Sequence, residues 1–179
     1  MKKLFFATLM VVSLLLANLA TASEEGQELN TRKGFLIGFG GSGGGEFNEL
    51  NNGYGGMEFR IGTGINENFL VYVQSDFLMT HDKDADLDTS FADLLIKAQA
   101  IFNNGMYAGI GVGFTTIEID LGDGFNYEEG GWSFNTAIGY EIRIKKSFAI
   151  SPEVNLTYRG IDGFSFPTVG GTLHLGWYF

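Results

Sequence analysis

Residues 167–179 read PTVGGTLHLGWYF, and the chain is best understood outward from them. Val169, Gly171, Leu173, Leu175, Trp177 and Phe179 fall on one side of this stretch. Thr168, Gly170, Thr172, His174, Gly176 and Tyr178 fall on the other. A period of two is the mark of a strand whose two faces meet different surroundings. One face here is apolar and ends in aromatics. The other is small and polar.

The same period recurs upstream and predicts seven more strands. Lys33–Gly41 sets Phe35, Ile37 and Phe39 on one face. Tyr54–Ile65 opposes Met57, Phe59 and Ile61 to Glu58 and Arg60, and Phe69–Thr80 opposes Val71, Val73 and Phe77 to Tyr72, Gln74 and Asp76. In Ser90–Asn103, Leu94 and Ile96 oppose Asp93 and Lys97. Met106–Ile119 sets Ile110, Val112 and Phe114 against Gly109, Gly111 and Gly113. Trp132–Ile144 and Ser147–Arg159 carry Glu141, Arg143, Glu153 and Arg159 on their polar faces. About ten residues is what a tilted strand needs to cross a bilayer.

The connections alternate in length. Asn66-Glu67-Asn68, Asn103-Asn104-Gly105 and Lys145-Lys146 are tight turns, and Asn-Gly is a strong hairpin signal. Ser42–Gly53, His81–Thr89, Asp120–Gly131 and Gly160–Phe166 are read as longer loops. Short turns at one end and long loops at the other are the habit of outer-membrane barrels. The expectation is an all-β, eight-stranded antiparallel up-and-down transmembrane β-barrel over residues 33–179.

The N-terminus reads as a secretory signal over residues 1–22. Lys2 and Lys3 precede an apolar run from Leu4 to Leu19, and Ala20-Thr21-Ala22 supplies a cleavage site. Residues 23–32 are polar and read as a flexible periplasmic segment. Loss of Lys2 and Lys3 moves the formal charge from −10 to −12, which excludes nucleic acid as a natural partner. With no cysteine in the chain, disulfides, thiolate metal sites and an acylated N-terminal Cys anchor are excluded.

Two solvents are compatible with the period: lipid outside, or water outside as in a periplasmic lipocalin-like barrel. Aromatics near strand ends (Phe69, Trp132, Tyr158, Trp177, Phe179) suit interfacial girdles. Glycines 109, 111 and 113 cannot fill an apolar core. The polar faces hold Glu58, Asp76, Asp93, Glu141 and Glu153 against Arg60, Lys97, Arg143 and Arg159. That balance suits a closed interior where unpaired charge is expensive. A lumen eight strands wide holds only its own side chains, so a plugged, charge-paired core without a continuous pore is expected.

The long loops hold eleven acids against Lys83. Beside lipopolysaccharide phosphates they could be bridged by divalent cations. Asp82, Asp84, Asp86 and Asp88 form the candidate site for Ca²⁺ or Mg²⁺; the turn Gly and distal Glu of an EF-hand are missing. The Gly40–Gly45 run has no Lys-Ser/Thr after it and is no phosphate loop. His81 and His174 are the only imidazoles. Gly176 stands where a His-x-Ser pair would need Ser, and Ser75-Asp76 lacks a His partner. His174 reads instead as a lumen residue satisfied by polar neighbours.

The signal, the eight amphipathic strands, the loop alternation and the terminal Phe179 together resemble small outer-membrane barrels of the OmpA-barrel, OmpX and opacity-protein type. That resemblance implies a Gram-negative outer-membrane protein with both termini periplasmic, monomeric, and embedded in lipid and lipopolysaccharide. It also implies that Leu173, Leu175, Trp177 and Phe179 act as the signal read by the barrel assembly machinery. The function expected is non-enzymatic: envelope integrity or surface interaction, as a surface antigen. The alternatives are a small porin-like channel and a lipid-A-modifying enzyme. No cofactor is expected beyond the loop cations.

Overall fold

The computed structural model describes residues 32–46, 53–82, 87–120 and 126–179. Nine strands run in order: β1 (Gly34–Glu46), β2 (Gly53–Asn66), β3 (Phe69–Asp82), β4 (Leu87–Ile101), β5 (Met106–Asp120), β6 (Asn126–Tyr140), β7 (Ile142–Lys145), β8 (Phe148–Ile161) and β9 (Phe164–Tyr178). All neighbours pair antiparallel. β1 closes onto β9, while β6 and β7 pair in succession with β8. The product is a closed eight-stranded barrel in which β6 and β7 share one place. Closure leaves no unpaired edge, the condition a bilayer imposes on backbone polar groups.

Phase is as expected in every strand. Phe114, Val112, Ile110, Ile138, Val154 and Leu173 point outward and stay exposed. Leu173 and Phe179 are 53% and 71% exposed, whereas Thr172 and Tyr178 beside them are 4% and 6%. The start of β1 and the end of β9 meet at one rim, where Phe35 and Phe179 exchange backbone hydrogen bonds of 3.0 and 2.9 Å. The turns at 67–68, 103–105 and 146–147 share that rim.

Several boundaries differ from expectation, and the expected loop His81–Thr89 shrinks because β3 runs to Asp82 and β4 starts at Leu87. Gly160–Phe166 is no long loop: β8 and β9 meet in a two-residue turn, Asp162-Gly163. Both turn residues have positive φ, 45° and 81°, the geometry that matches the twist of flanking strands. Asn126–Gly131 is strand rather than loop, and β1 runs on to Glu46. Apolar and polar residues do not alternate in these stretches, so the period of two does not mark them. The predicted strand Trp132–Ile144 breaks at Glu141. Pro152 falls opposite the break, between the pairs Gly139↔Glu153 and Ile142↔Ile150; without an N–H it cannot continue the ladder.

The interior has three levels. Near the termini Leu36, Leu70, Tyr72, Ile101, Tyr107, Ala149 and Tyr178 form an apolar cluster. At the far end Leu78, Phe91, Ile117 and Ile161 form another, with Tyr54, Ile119 and Phe166 packed on it. Between them lies a band of charge.

Candidate functional site

The band follows from strand register. Glu58 on β2 pairs with Asp76 on β3, and Asp76 pairs with Asp93 on β4. Three carboxylates therefore stand side by side on one wall, an arrangement that repels unless something answers it. Other strands supply the answer.

Arg159 on β8 crosses the lumen to Asp93. Its Nε lies 3.1 and 3.0 Å from the two carboxylate oxygens and its Nη2 lies 2.5 Å from Oδ2. Nη1 donates to Thr168 Oγ1 at 2.9 Å, and the guanidinium lies 4.9 Å from the Phe91 ring centre. This planar fork on a carboxylate is the strongest type of ion pair a protein builds.

Asp76 and Glu58 are served by neutral donors. Gln74 Nε2 donates to Asp76 Oδ1 at 2.8 Å and to Glu58 Oε2 at 3.1 Å, and Thr172 Oγ1 donates to Glu58 Oε1 at 2.8 Å. Glu153 on β8 accepts from the Tyr107 hydroxyl at 3.0 Å. Lys97 Nζ stands 3.6 Å from the other Glu153 oxygen, with both side chains wholly buried. Arg60 and Lys97 both lie against Tyr72, 5.7 and 5.9 Å from its ring centre. Glycines opposite the long side chains give them room. A methyl group on Gly38 would lie 2.6 Å from Arg60 Nε, one on Gly111 2.5 Å from Lys97 Cγ, and one on Gly40 2.7 Å from His174 Nδ1.

His174 departs from expectation. It is fully buried in the band, but polar neighbours do not satisfy it: among the described residues neither ring nitrogen has a hydrogen-bond partner. Its Nε2 stands 3.5 Å from Glu58 Oε2 and 3.6 Å from Glu153 Oε2. Lys97 Nζ, Glu153 Oε1 and Arg60 Nε nearby are also without hydrogen-bond partners. The physical reason is spacing, since 3.5 Å and beyond is outside hydrogen-bond range.

At the rim near the termini, Glu141 accepts from Arg32 Nε at 2.8 Å, from Arg143 Nε at 3.0 Å and from the Tyr178 hydroxyl. Arg32 also donates to the Glu67 carbonyl at 2.7 Å. Arg143 is partly exposed and lies 4.5 Å from the Tyr178 ring centre. Sequence reasoning put Gln74 and Tyr178 on polar faces without joining them to the charges, and left out Arg32 and Tyr107; Tyr107 is in phase with Gly109 and Gly111 on the inward face of β5.

Of the acidic-loop candidates, Asp84 and Asp86 lie outside the described residues. Asp82 ends β3 and Asp88 lies in β4, where it pairs in register with His81. Residues 1–22 lie outside the described residues too, as do 23–31 of the expected N-terminal segment. Ser75 and Asp76 point to opposite sides of β3 and form no unit. Leu173 and Leu175 face outward with Phe179, while Trp177 packs between Phe39 and Phe148 at ring distances of 6.3 and 5.1 Å.

Residues 6–179 match a family model described as an outer membrane protein beta-barrel domain. No curated protein matches the chain. Among solved structures, Neisserial surface protein A is similar over 87% of this chain and 100% of its own, at 14% identity and a TM-score of 0.56. Ail, the attachment invasion locus protein of Yersinia pestis, is similar over 81% and 96%, at 16% identity and a TM-score of 0.53. The N-terminal β-barrel domain of Pseudomonas aeruginosa OprF is similar over 79% and 97%, at 12% identity and a TM-score of 0.52. At these identities the likeness speaks for the fold alone.

Proposed function

The chain belongs to the outer membrane protein β-barrel family, and on that premise we propose that it is a non-enzymatic integral barrel with a closed, charge-paired lumen and acidic outer loops. Its contribution is to envelope integrity or to contacts at the cell surface. The observation that carries this reading is the filling of the lumen. Arg159 and Asp93 bridge it with 1% and 2% exposure, between apolar clusters at either end. A pore needs water-filled width, and eight strands enclose only enough room for side chains.

In this reading the rim holding both termini and the short turns faces the periplasm. The opposite rim carries the acidic segments outward, beside lipopolysaccharide phosphates, where Ca²⁺ or Mg²⁺ would bridge anion to anion. The outward side chains of Leu173, Leu175, Trp177 and Phe179 are then open to the assembly machinery before the barrel meets lipid. The protein acts as a monomer.

Planar-bilayer recording of the purified, folded protein tests the proposal. No stable openings are expected. Reproducible single-channel steps would replace it with the channel reading. Altered lipid A acylation on expression of the protein would replace it with an enzymatic one.

A further inference from the structure

We propose that Glu58, Glu153 and His174 form a buried site for a divalent first-row transition ion of the Zn²⁺ type. Their ligand atoms lie within 4.8 Å of one another, and all three residues are buried. Distance, the unpartnered imidazole and the donors around the carboxylates together point to an ion there.

The first is distance. His174 Nε2 faces Glu58 Oε2 at 3.5 Å and Glu153 Oε2 at 3.6 Å, too far for hydrogen bonds. A tetrahedral ion with bonds of about 2.0–2.1 Å separates its ligands by about 3.3 Å. The gap suits an ion between the groups better than a proton. The second is the unpartnered imidazole, wholly buried, with Nε2 aimed at two carboxylates. Buried polar atoms are almost always satisfied. Gly40 lies against the other side of the ring, where a methyl group would come within 2.7 Å of Nδ1.

The third is the set of donors. Within the buried band, Glu58 is held by the neutral donors Gln74 and Thr172 rather than by a lysine or arginine. Arg159 is spent on Asp93 and Lys97 stands by the far oxygen of Glu153. The Oε2 atoms of Glu58 and Glu153 each accept one hydrogen bond from a neutral donor, Gln74 and Tyr107, and both face the imidazole. Imidazole with two carboxylates selects zinc-like ions over Ca²⁺, which takes six to eight oxygens. Apolar clusters close both ends of the lumen, so the ion enters as the barrel folds.

The test refolds the full-length mature chain into detergent micelles with Zn²⁺, removes excess ion by gel filtration and measures zinc per folded chain. Heat-modifiable gel mobility reports the folded fraction. About one ion per chain is expected, with affinity falling at least about 100-fold in His174→Gln and in Glu58→Gln, since even outer partners of a ligand are worth 10–100-fold. The double loop variant Asp84→Asn/Asp86→Asn should retain the ion. Zinc absent from the wild-type protein, kept by His174→Gln, or lost in the loop variant would overturn the proposal. Should either lumen variant not fold, Co²⁺ in the wild-type barrel decides. Visible bands stronger than those of the aqueous ion support the site, and their absence sinks it.

Discussion

Asp93 with Arg159, and Glu58 with Glu153 and His174, are two ways of burying charge in one lumen. The first is self-contained. A guanidinium fork meets both oxygens of one carboxylate, and its remaining nitrogen finds Thr168. The second shares its load among Gln74, Thr172, Tyr107 and a lysine at 3.6 Å, and leaves an imidazole without a hydrogen bond. Both look alike along the chain, as charged residues alternating with apolar ones. What separates them is whether the strand register lets donors reach acceptors. A buried pair built like the first tolerates no missing partner, whereas the second has slack that a ligand can take up.

Breaking the first pair should therefore have the largest effect. Arg159→Met leaves the Asp93 carboxylate buried without its cation, a change worth about 3–5 kcal/mol. Equilibrium unfolding in lipid vesicles, followed by Trp132 and Trp177 fluorescence, measures it. Adding Asp93→Leu to the same chain should recover most of the loss, because the desolvation cost goes with the charges. A double variant as unstable as the single one would mean that the fork holds more than its own charges.

Neither station survives contact with lipid, so the wall between them and the outside is open to a second test. Leu173→Arg places a cation on the outer face and should cost about 2–4 kcal/mol near the bilayer midplane. Equal stability of Leu173→Arg and the wild-type barrel would put water, not lipid, against that face. Next in size is Gly40→Ala, whose added methyl meets His174 Nδ1 at 2.7 Å and Thr172 Cγ2 at 3.0 Å. Overpacking of this order costs about 1–3 kcal/mol. The same unfolding assay should show it, and Gly41→Ala, which points into open space, should show almost nothing.

The wall was readable from the amino-acid order because period two ties every side chain to one face or the other. The turn at Asp162-Gly163 was also readable in principle, since Asp-Gly is a hairpin signal. Phe164 and Phe166 extend the strand there without a clear polar partner face, which hid the boundary. The stations were not readable. That Arg159 meets Asp93, 66 positions earlier, depends on how strands stagger around the closed ring. So does the break at Glu141, which needs Pro152 to arrive opposite it. His174 misled for a related reason: its neighbours are polar, as expected, but stand too far away to bond.

That misfit gives the smallest predicted effect and the sharpest contrast. His174→Leu removes a ring that makes no hydrogen bond and replaces it with a side chain of similar volume. Glu58 keeps Gln74 and Thr172, and Glu153 keeps Tyr107. With chelator present the change should therefore cost less than about 1.5 kcal/mol, well under the effect at Arg159. With free Zn²⁺ at about 100 times its dissociation constant the wild-type barrel should gain about 2.7 kcal/mol that His174→Leu does not. A large loss in chelator would mean that the imidazole is already satisfied. The two stations would then differ in geometry but not in kind.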